Sequence, residues 1–408
     1  MAFEIEGRTI GDGRCFIIAE AGSNHNGDLA TAFKLINVAA ESGADCVKFQ
    51  TFKAKRLYVK DAGKSDYLGD SRDIGDIIAS MEMPEDWIPK LAEQARSRGL
   101  AFISTPFHEE AVALLEPHVS AFKIASYEMS HHPLLKCVAR TGKPVIMSTG
   151  THDLEEVRQS VAVLREAGCK DLVVLQCTAS YPAPLDTVNL RAIETLREVL
   201  DVPAGLSDHS REPAVAPMGA AALGAAVIEK HFTLSNEMEG PDHAYAVEPE
   251  ELAQLVKGVR DIEKALGSGR KAVQEVEQEL YHFARRSLFT TRAVAAGEPF
   301  SRENVDVLRN GKKRPGLPPS SLARVLATTA AKPLEAGSPV LNGSLTEAGL
   351  TARPATRDDL LTVFEWANDP TTRANSFISD PIPLETHTVW FESRLTDPKR
   401  RIFMALQD

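Results

Sequence analysis

Along the first two-thirds of the chain, short apolar runs alternate with segments in which apolar residues recur every three or four positions. The runs are "CFIIAEA" (15–21), "ADCVKFQTF" (44–52), "AFISTPF" (101–107), "AFKIASY" (121–127), "PVIMSTG" (144–150), "LVVLQCT" (172–178), "AGLSDH" (204–209) and "VIEKHFT" (227–233). Near-continuous apolar runs of this length read as strands covered on both faces. The segments between them, such as "DLATAFKLINVAAESG" and "DLEEVRQSVAVLREAG", read as amphipathic helices closed by glycine. Eight such strand–helix units within residues 1–275 predict an α/β fold, a (β/α)8 TIM barrel.

Each run starts apolar and ends in polar or reactive side chains. In order these are Glu20; Lys48 and Gln50; Ser104 and Thr105; Lys123 and Ser126; Ser148 and Thr149; Gln176 and Thr178; Ser207, Asp208 and His209; Glu229 and His231. In a barrel the C-terminal strand ends meet at one mouth, where active sites sit. Contact with solvent would explain one or two such ends but explains eight poorly. Strand alternation puts Glu229 and His231 on one face, and an inward face brings both into the mouth beside His209.

After residue 275 the pattern becomes Pro/Gly-rich, with an internal echo between "AVAAGEPF" (293–300) and "PLEAGSPV" (333–340). A linker over 276–284 and a small β-rich domain over 285–348 are expected. From 351 the stretch "TARPATRDDLLTVFEWANDPTTRANSF" begins a third α/β segment, which looks cut off soon after "RIFMALQD" at Asp408. The 43% hydrophobic and 25% charged composition is that of a soluble globular protein. No apolar run approaches the ~20 residues that span a bilayer, so no membrane is expected as a partner. The start "MAFEIEGRTIG" lacks the features of a secretory signal, and five scattered cysteines suit a reducing cytoplasm. A net charge of -11 argues against nucleic acid, so an anionic substrate would need a locally positive pocket.

The mouth residues suggest such a pocket. His209 and His231, on adjacent strands, can hold one divalent metal and leave positions for substrate oxygens; the alternative is two hydrogen-bonded core histidines. Lys48 and Lys123, with Ser126, Ser148 and Ser207, form a cradle for phosphate and carboxylate. A lysine there could instead form a Schiff base, although the histidine pair and the serines favour anion binding. Glu20, opening "EAGSNHNGD" (20–28), is a candidate general base or water-positioning group. The alternative is a helix N-cap turn, which Asn26 or Asp28 in the same stretch would supply. His131 and His132 read as loop residues without a role.

The stretches "IIAEAGSNHNGD", "GADCVKFQTFKA", "STPF", "FKIASYE", "GKPVIMSTG", "CTASYPAP", "GLSDHS", "GAAVIEKHFTL" and "EGPDH", followed by "RRSLFTTRAVAAGEPFSRENV", together resemble the sialic acid synthase family, the nonulosonic acid synthases. The resemblance runs colinearly over residues 15 to 345. It implies an enzyme that condenses phosphoenolpyruvate with an open-chain N-acylated amino sugar, releasing phosphate, with Mn2+ or Mg2+ polarising the aldehyde. Carried over residue by residue, His209 and His231 resemble the metal ligands. Lys48, Lys123, Ser126, Ser148 and Ser207 resemble the phosphoenolpyruvate contacts, and Gln50, Tyr181 and Asp242 the sugar contacts. Glu20, Lys48, Lys123 and Glu229 are then the candidate catalytic groups. The β-rich tail resembles the antifreeze-like (SAF) domain, which implies a domain-swapped homodimer in which an arginine reaches the partner's sugar site. In "VLRNGKKRPGLPP" that arginine is Arg309 or Arg314, with Arg309 favoured.

Two departures bear on the sugar. Synthases for N-acetylneuraminate often read "CTN-x-YP" and use an asparagine on the long loop after the second strand. Here Ala179 stands in "CTASYP", and no asparagine occurs between Asn37 and Asn189. Fewer amides suit a sugar with fewer hydroxyls. The segment from 351 also resembles the start of an N-acetyltransferase acting on 4-amino sugars, without its acyl-CoA loop, so the chain is not expected to acetylate by itself. Both features favour a 2,4-diacetamido-trideoxyhexose, giving a legionaminic- or pseudaminic-type acid, over N-acetylmannosamine. A related phosphoenolpyruvate aldolase of central metabolism is disfavoured by the antifreeze-like domain and "GPDH". A non-enzymatic ice- or carbohydrate-binding protein is disfavoured by the intact mouth.

Overall fold

A hairpin of β1 (Phe3–Ile5) and β2 (Arg8–Ile10) precedes eight strands: β3 (Phe16–Gly22), β4 (Cys46–Thr51), β5 (Ala101–Pro106), β6 (Phe122–Ile124), β7 (Val145–Ser148), β8 (Leu172–Cys177), β9 (Ala204–Asp208) and β10 (Val227–His231). In the computed structural model all eight are parallel, each pairs with the next, and β10 closes onto β3, as the sequence predicts. The structure describes residues 2–60, 62–64, 73–346, 350–376, 378–397 and 399–407. The chain forms two compact units, Met1–Arg270 and Lys271–Asp408.

Strand alternation sorts the barrel's side chains into two apolar clusters. One face of the strands, with Ile17, Val47, Phe49, Phe102, Phe122 and Val174, packs on helix residues such as Leu35, Leu91, Leu135 and Leu164. The other fills the barrel interior with Ile18, Cys46, Ile103, Ala121, Ile146, Leu175 and Val227, and Ile5 and Ile10 of the hairpin join this cluster. The interior is thus a packed core. At the hairpin end, buried Asp45 accepts from the Ile17 amide at 2.9 Å and pairs with Arg260 at 2.5 Å, Arg14 at 3.4 Å and Arg8 at 3.6 Å. Arg260 also donates to the Cys15 carbonyl and pairs with Glu263, both on the last barrel helix or the first barrel strand's entry. Asp45 therefore ties the hairpin, the start of β3 and the helix Pro249–Leu266 together.

That helix ends before Gly267, and the boundary between units falls slightly ahead of the expected 275. The expected linker is largely helical, with a 3-10 turn Glu275–Glu277 running into the helix Gln278–Phe283. In the second unit β11 (Arg286–Thr290) pairs antiparallel with β12 (Val305–Arg309) around a core of Leu288, Val294, Phe300, Val305, Val325, Leu334 and Val340. The sequence echo has a structural counterpart. Val294 and Leu334, each second in its echo, exchange both backbone hydrogen bonds at 2.9 Å. Gly297 and Gly337, again equivalent, take φ of +78° and +73°. Beyond it, β13 (Leu350–Pro354) pairs antiparallel with β14 (Phe403–Gln407), and Trp366 and Trp390 are exposed. Residues 347–349 lie outside the described residues. No described helix is long and apolar enough to cross a membrane.

Replacing Asp45 by alanine leaves the Ile17 amide unpaired and three guanidinium groups without their shared acceptor. Asp45→Ala is expected to lower the unfolding free energy by about 3 kcal/mol, read as a lower urea midpoint with an unchanged slope.

Candidate active site

The polar layer of the barrel lies two residues beyond the apolar one on the same inward face of nearly every strand. Ile18 is followed by Glu20, Cys46 by Lys48, Ile103 by Thr105, Ile146 by Ser148, Leu175 by Cys177 and Val227 by Glu229, while Lys123 and Ser207 complete the set on β6 and β9. These side chains touch in sequence around the mouth. Lys48 Nζ lies 2.9 Å from Glu20 Oε1 and 3.7 Å from Glu229 Oε2, and donates to Thr105 Oγ1 at 3.3 Å. Lys123 Nζ lies 3.7 Å from Glu229 Oε1 and donates to Ser148 Oγ at 2.6 Å and to the Ile124 carbonyl at 2.8 Å. Ser207 donates to Glu229 at 3.0 Å.

Glu20, Lys48, Lys123 and Glu229 are at most 3% exposed, so desolvation acts on all four. Burial, with the neighbouring Glu229 charge, raises the Glu20 pKa even though Lys48 opposes it. Burial pushes Glu229 the same way, but Lys123 and Lys48 reverse the shift and hold it below the ordinary carboxylate value. Burial disfavours the Lys48 ammonium, yet Glu20 and Glu229 raise its pKa overall. Lys123 is lowered, chiefly by burial. The two glutamates are thereby pushed apart, one towards a proton carrier and one towards a fixed anion. Lys48, held as an ammonium between two carboxylates, is suited to binding anions rather than to forming an imine.

Gln50 donates to Glu20 Oε1 at 2.8 Å. Gly22, at φ +51°, lets three groups converge: a Cβ there would lie 3.1 Å from Asp242 Oδ2 and 3.6 Å from both Gln50 Nε2 and Glu20 Oε1. Burial raises the Asp242 pKa, although the Tyr245 hydroxyl donates to its carboxylate. Ser126 accepts from the Gly150 amide at 2.9 Å and donates to Cys177 at 3.4 Å. Tyr181 stacks 4.1 Å from the His209 ring and meets His231 edge-on at 6.1 Å.

The two imidazoles lie 5.4 Å apart, centroid to centroid. Thr178 O, 3.0 Å from His209 Nδ1, accepts its proton and leaves Nε2 with a lone pair. His231 is driven well below its ordinary pKa, first by burial and then by His209 and the lysines, so it is neutral, and its Nδ1 is buried without a hydrogen-bond partner. Burial works against a charged His209, but Cys177 and the Thr178 carbonyl raise its pKa overall, so an ion would compete with a proton at its Nε2. With its ring oriented by that carbonyl and the neutral His231 beside it, the pair fits a divalent ion. No cluster of three or more His, Cys, Asp or Glu side chains suited to a metal occurs among the described residues, so water and substrate oxygens would complete the shell.

The fold therefore gathers Glu20, Lys48, Gln50, Lys123, Ser126, Ser148, Tyr181, Ser207, His209, Glu229, His231 and Asp242 on the barrel unit. Arg309 and Arg314 belong to the second unit, where both are exposed; Arg309 ends β12, and Arg314 follows in a loop. Several polar strand ends point elsewhere, because alternation turns them out. Ser104 bonds Thr51 and the Phe49 carbonyl, while Gln176 and Thr178 donate to Val188 and Thr187 carbonyls. Cys177 takes the place on β8 expected for Gln176 or Thr178. Asp208 instead holds Lys230 at 2.6 Å, behind the mouth. Asp28 caps its helix by accepting from the Ala30 and Thr31 amides, and His131 caps another, accepting from Leu134.

Sequence reasoning missed two contributors. His243, within "GPDH", lies 2.6 Å from Thr233 Oγ1 and 3.1 Å from Asn26 Oδ1 and so latches the loop carrying Asp242 onto the loop after β3. Glu128 is 7% exposed, one carboxylate oxygen is buried without a partner, and burial pushes its pKa up to about 7. The signal was its place two residues past Ser126 in a turn, which alternation alone does not read.

A carboxyl whose folded pKa is raised above its unfolded value stabilises most below the unfolded value, and that contribution is lost as pH rises through the folded one. Glu128 should therefore cost stability between the ordinary glutamate range and about pH 7. Glu128→Gln removes the titration. Its thermal midpoint should match wild type near pH 4.5 and exceed it at pH 8, by an equivalent of about 2–3 kcal/mol.

The NeuB family profile matches residues 35–271 and the SAF domain profile residues 285–346. The chain is 43% identical over 335 residues to a spore coat polysaccharide biosynthesis protein of Bacillus subtilis, covering 78% of this chain and 90% of that protein. It is 39% identical to an N,N'-diacetyllegionaminic acid synthase of Legionella pneumophila, covering 80% and 93% respectively. Its fold is similar to the crystal structure of an N-acetylneuraminic acid synthetase from Leptospira borgpetersenii, with a TM-score of 0.63 and 32% identity over 69% of this chain and 95% of that one. With its closed barrel, its ring of buried lysines and glutamates and its paired imidazoles, the chain belongs to the NeuB family of nonulosonic acid synthases, continued by a SAF domain.

Proposed function

We propose that the barrel mouth condenses phosphoenolpyruvate with the open-chain form of a 2,4-diacetamido-trideoxyhexose, giving a legionaminic- or pseudaminic-type acid and phosphate. The observation that carries the reading is the cradle of Lys48, Lys123, Ser126, Ser148 and Ser207 beside His209 and His231. The lysines and serines supply fixed positive charge and donors for the phosphate and carboxylate of phosphoenolpyruvate, so catalysis rests on positioning and electrostatics. A Mn2+ or Mg2+ ion held by His209 and His231 would polarise the sugar aldehyde as a Lewis acid.

C3 of phosphoenolpyruvate forms the new bond to the aldehyde carbon as the C=O π bond breaks, its oxygen taking a proton from solvent water, and C2 gains positive character. Water adds at C2, its proton going to Glu20. The free, buried Oε2 of Glu20 and its raised pKa suit that transfer. The tetrahedral centre then collapses to the keto acid, breaking the C2–O bond and releasing phosphate. Glu229 stays ionised and holds the two lysines in place. Gln50, Asp242 and Tyr181 are proposed as sugar contacts around the same opening.

The sugar preference is supported by Ala179. A Cβ on Gly150 would lie 3.1 Å from the Ala179 methyl and 2.9 Å from Ser126 Oγ, so Ala179 offers a methyl beside the anion cradle where related synthases present an amide. Much of the long loop after β4 (61 and 65–72) lies outside the described residues. N-acetylmannosamine, giving N-acetylneuraminate, is the second reading. We place the enzyme in the cytoplasm, in keeping with five free cysteines. A domain-swapped homodimer is supported by the exposed Val276, Leu280 and Phe283 around the helix that opens the second unit, an apolar face uncovered in one chain. Arg309 is the favoured arginine to reach the partner's sugar.

The test is phosphate release from phosphoenolpyruvate with manganese, offering each 2,4-diacetamido-trideoxyhexose and N-acetylmannosamine separately. Release with a diacetamido sugar is expected, abolished by chelation, restored by manganese, and lowered in His209→Ala on the order of 100-fold or more. Release with N-acetylmannosamine alone replaces the acceptor. No release with any sugar from folded, metal-loaded protein overturns the reaction. Light scattering at twice the chain mass is the expected outcome for the dimer.

A further inference from the structure

β6 ends at Ile124 and passes into a single 3-10 turn, Ser126–Glu128. The outer two residues of the turn fold inward, at 6% and 7% exposure, whereas Tyr127 between them stands 57% exposed. The turn cannot roll over to hide that ring. Ser126 accepts from the Gly150 amide, and the Glu128 and Met129 amides donate to Ala125 and Ser126 carbonyls. A large aromatic side chain is thus held out at the rim of an otherwise packed barrel.

The ring is exposed, yet its hydroxyl is partly desolvated. Burial raises the Tyr127 pKa, with Cys177 and Tyr58 adding to the rise. Cys177 ends β8, and Tyr58 follows the short helix Ala54–Leu57 after β4. In the barrel order β4-β5-β6-β7-β8 these two flank β6 from opposite sides, and the turn carrying Tyr127 lies at the C-terminal end of β6, the end at which the mouth opens. Tyr58 is itself 44% exposed, so two aromatic faces stand at one side of the rim. That side is also where Ala179 presents its methyl.

The rim faces the metal-binding pair. In a closed ring of eight strands β6 stands opposite β10, which carries His231. An open-chain hexose whose carbonyl end is held on the β9–β10 side would direct its far carbons across the opening, towards the turn after β6. Resting on the reaction proposed above, we propose that Tyr127, with Tyr58 beside it, is the residue that selects the sugar, its ring packing on the C–H face and acyl methyl of the acylamido-bearing distal end. A sugar carrying only hydroxyls there offers the ring less apolar surface and would still need polar partners that Ala179 does not supply.

Steady-state kinetics of Tyr127→Ala and Tyr127→Phe, with the diacetamido sugar and with N-acetylmannosamine, test the assignment. In Tyr127→Ala the KM for the diacetamido sugar should rise about tenfold with KM for phosphoenolpyruvate unchanged. The ratio of kcat/KM between the two sugars should fall, and Tyr127→Phe, which keeps the ring face, should remain within about threefold of wild type. An unchanged sugar KM in Tyr127→Ala, an equal loss for both sugars, or a rise in the phosphoenolpyruvate KM overturns the role of Tyr127 while leaving the reaction standing. A wild-type enzyme that accepts N-acetylmannosamine alone also overturns it, since the selected sugar is then the wrong one. A wild-type enzyme that releases no phosphate with any sugar fails at the reaction itself, and the role of Tyr127 falls with it.

Discussion

Two lysines and two glutamates, taken almost wholly out of water, share the top of one barrel, and most of the site follows from making that arrangement tolerable. An isolated buried charge is too costly to keep, so each must face an opposite one. Lys48 stands between Glu20 and Glu229, and Glu229 between Lys48 and Lys123. The four charges come from β3, β4, β6 and β10, which are brought together only when the sheet closes. The seam is where this matters most: His231 pairs with Glu20 across β10 and β3, and Glu20 with Lys48 across β3 and β4. A slip of one residue at that seam would send Glu229 and His231 outward and Lys230 inward, stranding charges on both faces. Barrel register and active-site chemistry are therefore the same constraint.

That constraint also divides the labour between two carboxylates of the same kind. Glu229 touches both lysines and a serine hydroxyl, so its charge is held. Glu20 has one close lysine, with the Glu229 charge nearby, so burial wins and its proton is held more tightly. The contrast arises from the number of partners each can reach, not from any difference in the side chain. His209 and His231 stand just beyond this layer, where burial keeps His231 neutral while, despite burial, Cys177 and the Thr178 carbonyl raise the His209 pKa. Asp208 and Lys230, one residue along from Ser207 and Glu229, form their own closed ion pair on the opposite face. Charge balance on that face shields the strand ends from the mouth.

The barrel was legible because its two signals are local. Apolar runs mark the strands, and the change from apolar to polar two residues on marks the mouth. Glu20, Lys48, Lys123, Ser148, Ser207, Glu229 and His231 obey that rule, and each lies where it predicts. Gln176, Thr178 and Asp208 are polar strand ends too, but they occupy the other parity, and a list of polar residues does not record parity. Cys177 went unnoticed because a thiol reads as apolar in a hydrophobicity pattern, although here it sits among the mouth's hydroxyls. Glu128 and His243 were hidden for a different reason. Both act from turns and loops, where no period relates sequence position to direction, and their partners, such as Asn26 for His243, lie far along the chain. In the second unit the echo between "AVAAGEPF" and "PLEAGSPV" was visible, but not that its two copies would pair with each other.

The parts that obeyed the strand rule are those proposed to hold phosphoenolpyruvate, whose two anionic groups must be held by opposite charges at fixed separations. Strands are rigid enough to fix such separations. The residues proposed to face the sugar are arranged differently: Tyr181 and Ala179 follow β8, Asp242 rides on the loop latched by His243, and Tyr127 projects from the turn after β6. A loop can change without disturbing the buried charges, because no member of the charge quartet depends on it for a partner. The fold thus separates the charge layer from the rim: the ion pairs lock the barrel strands to one another, and the rim loops supply none of their partners. Gly22 marks where the two meet, since at its φ of +51° the backbone lets Asp242 of the sugar loop come within reach of Glu20 in the charge layer. A side chain there would be strained at that φ and would crowd Asp242 at 3.1 Å, so the close approach of that loop to Glu20 rests on the glycine.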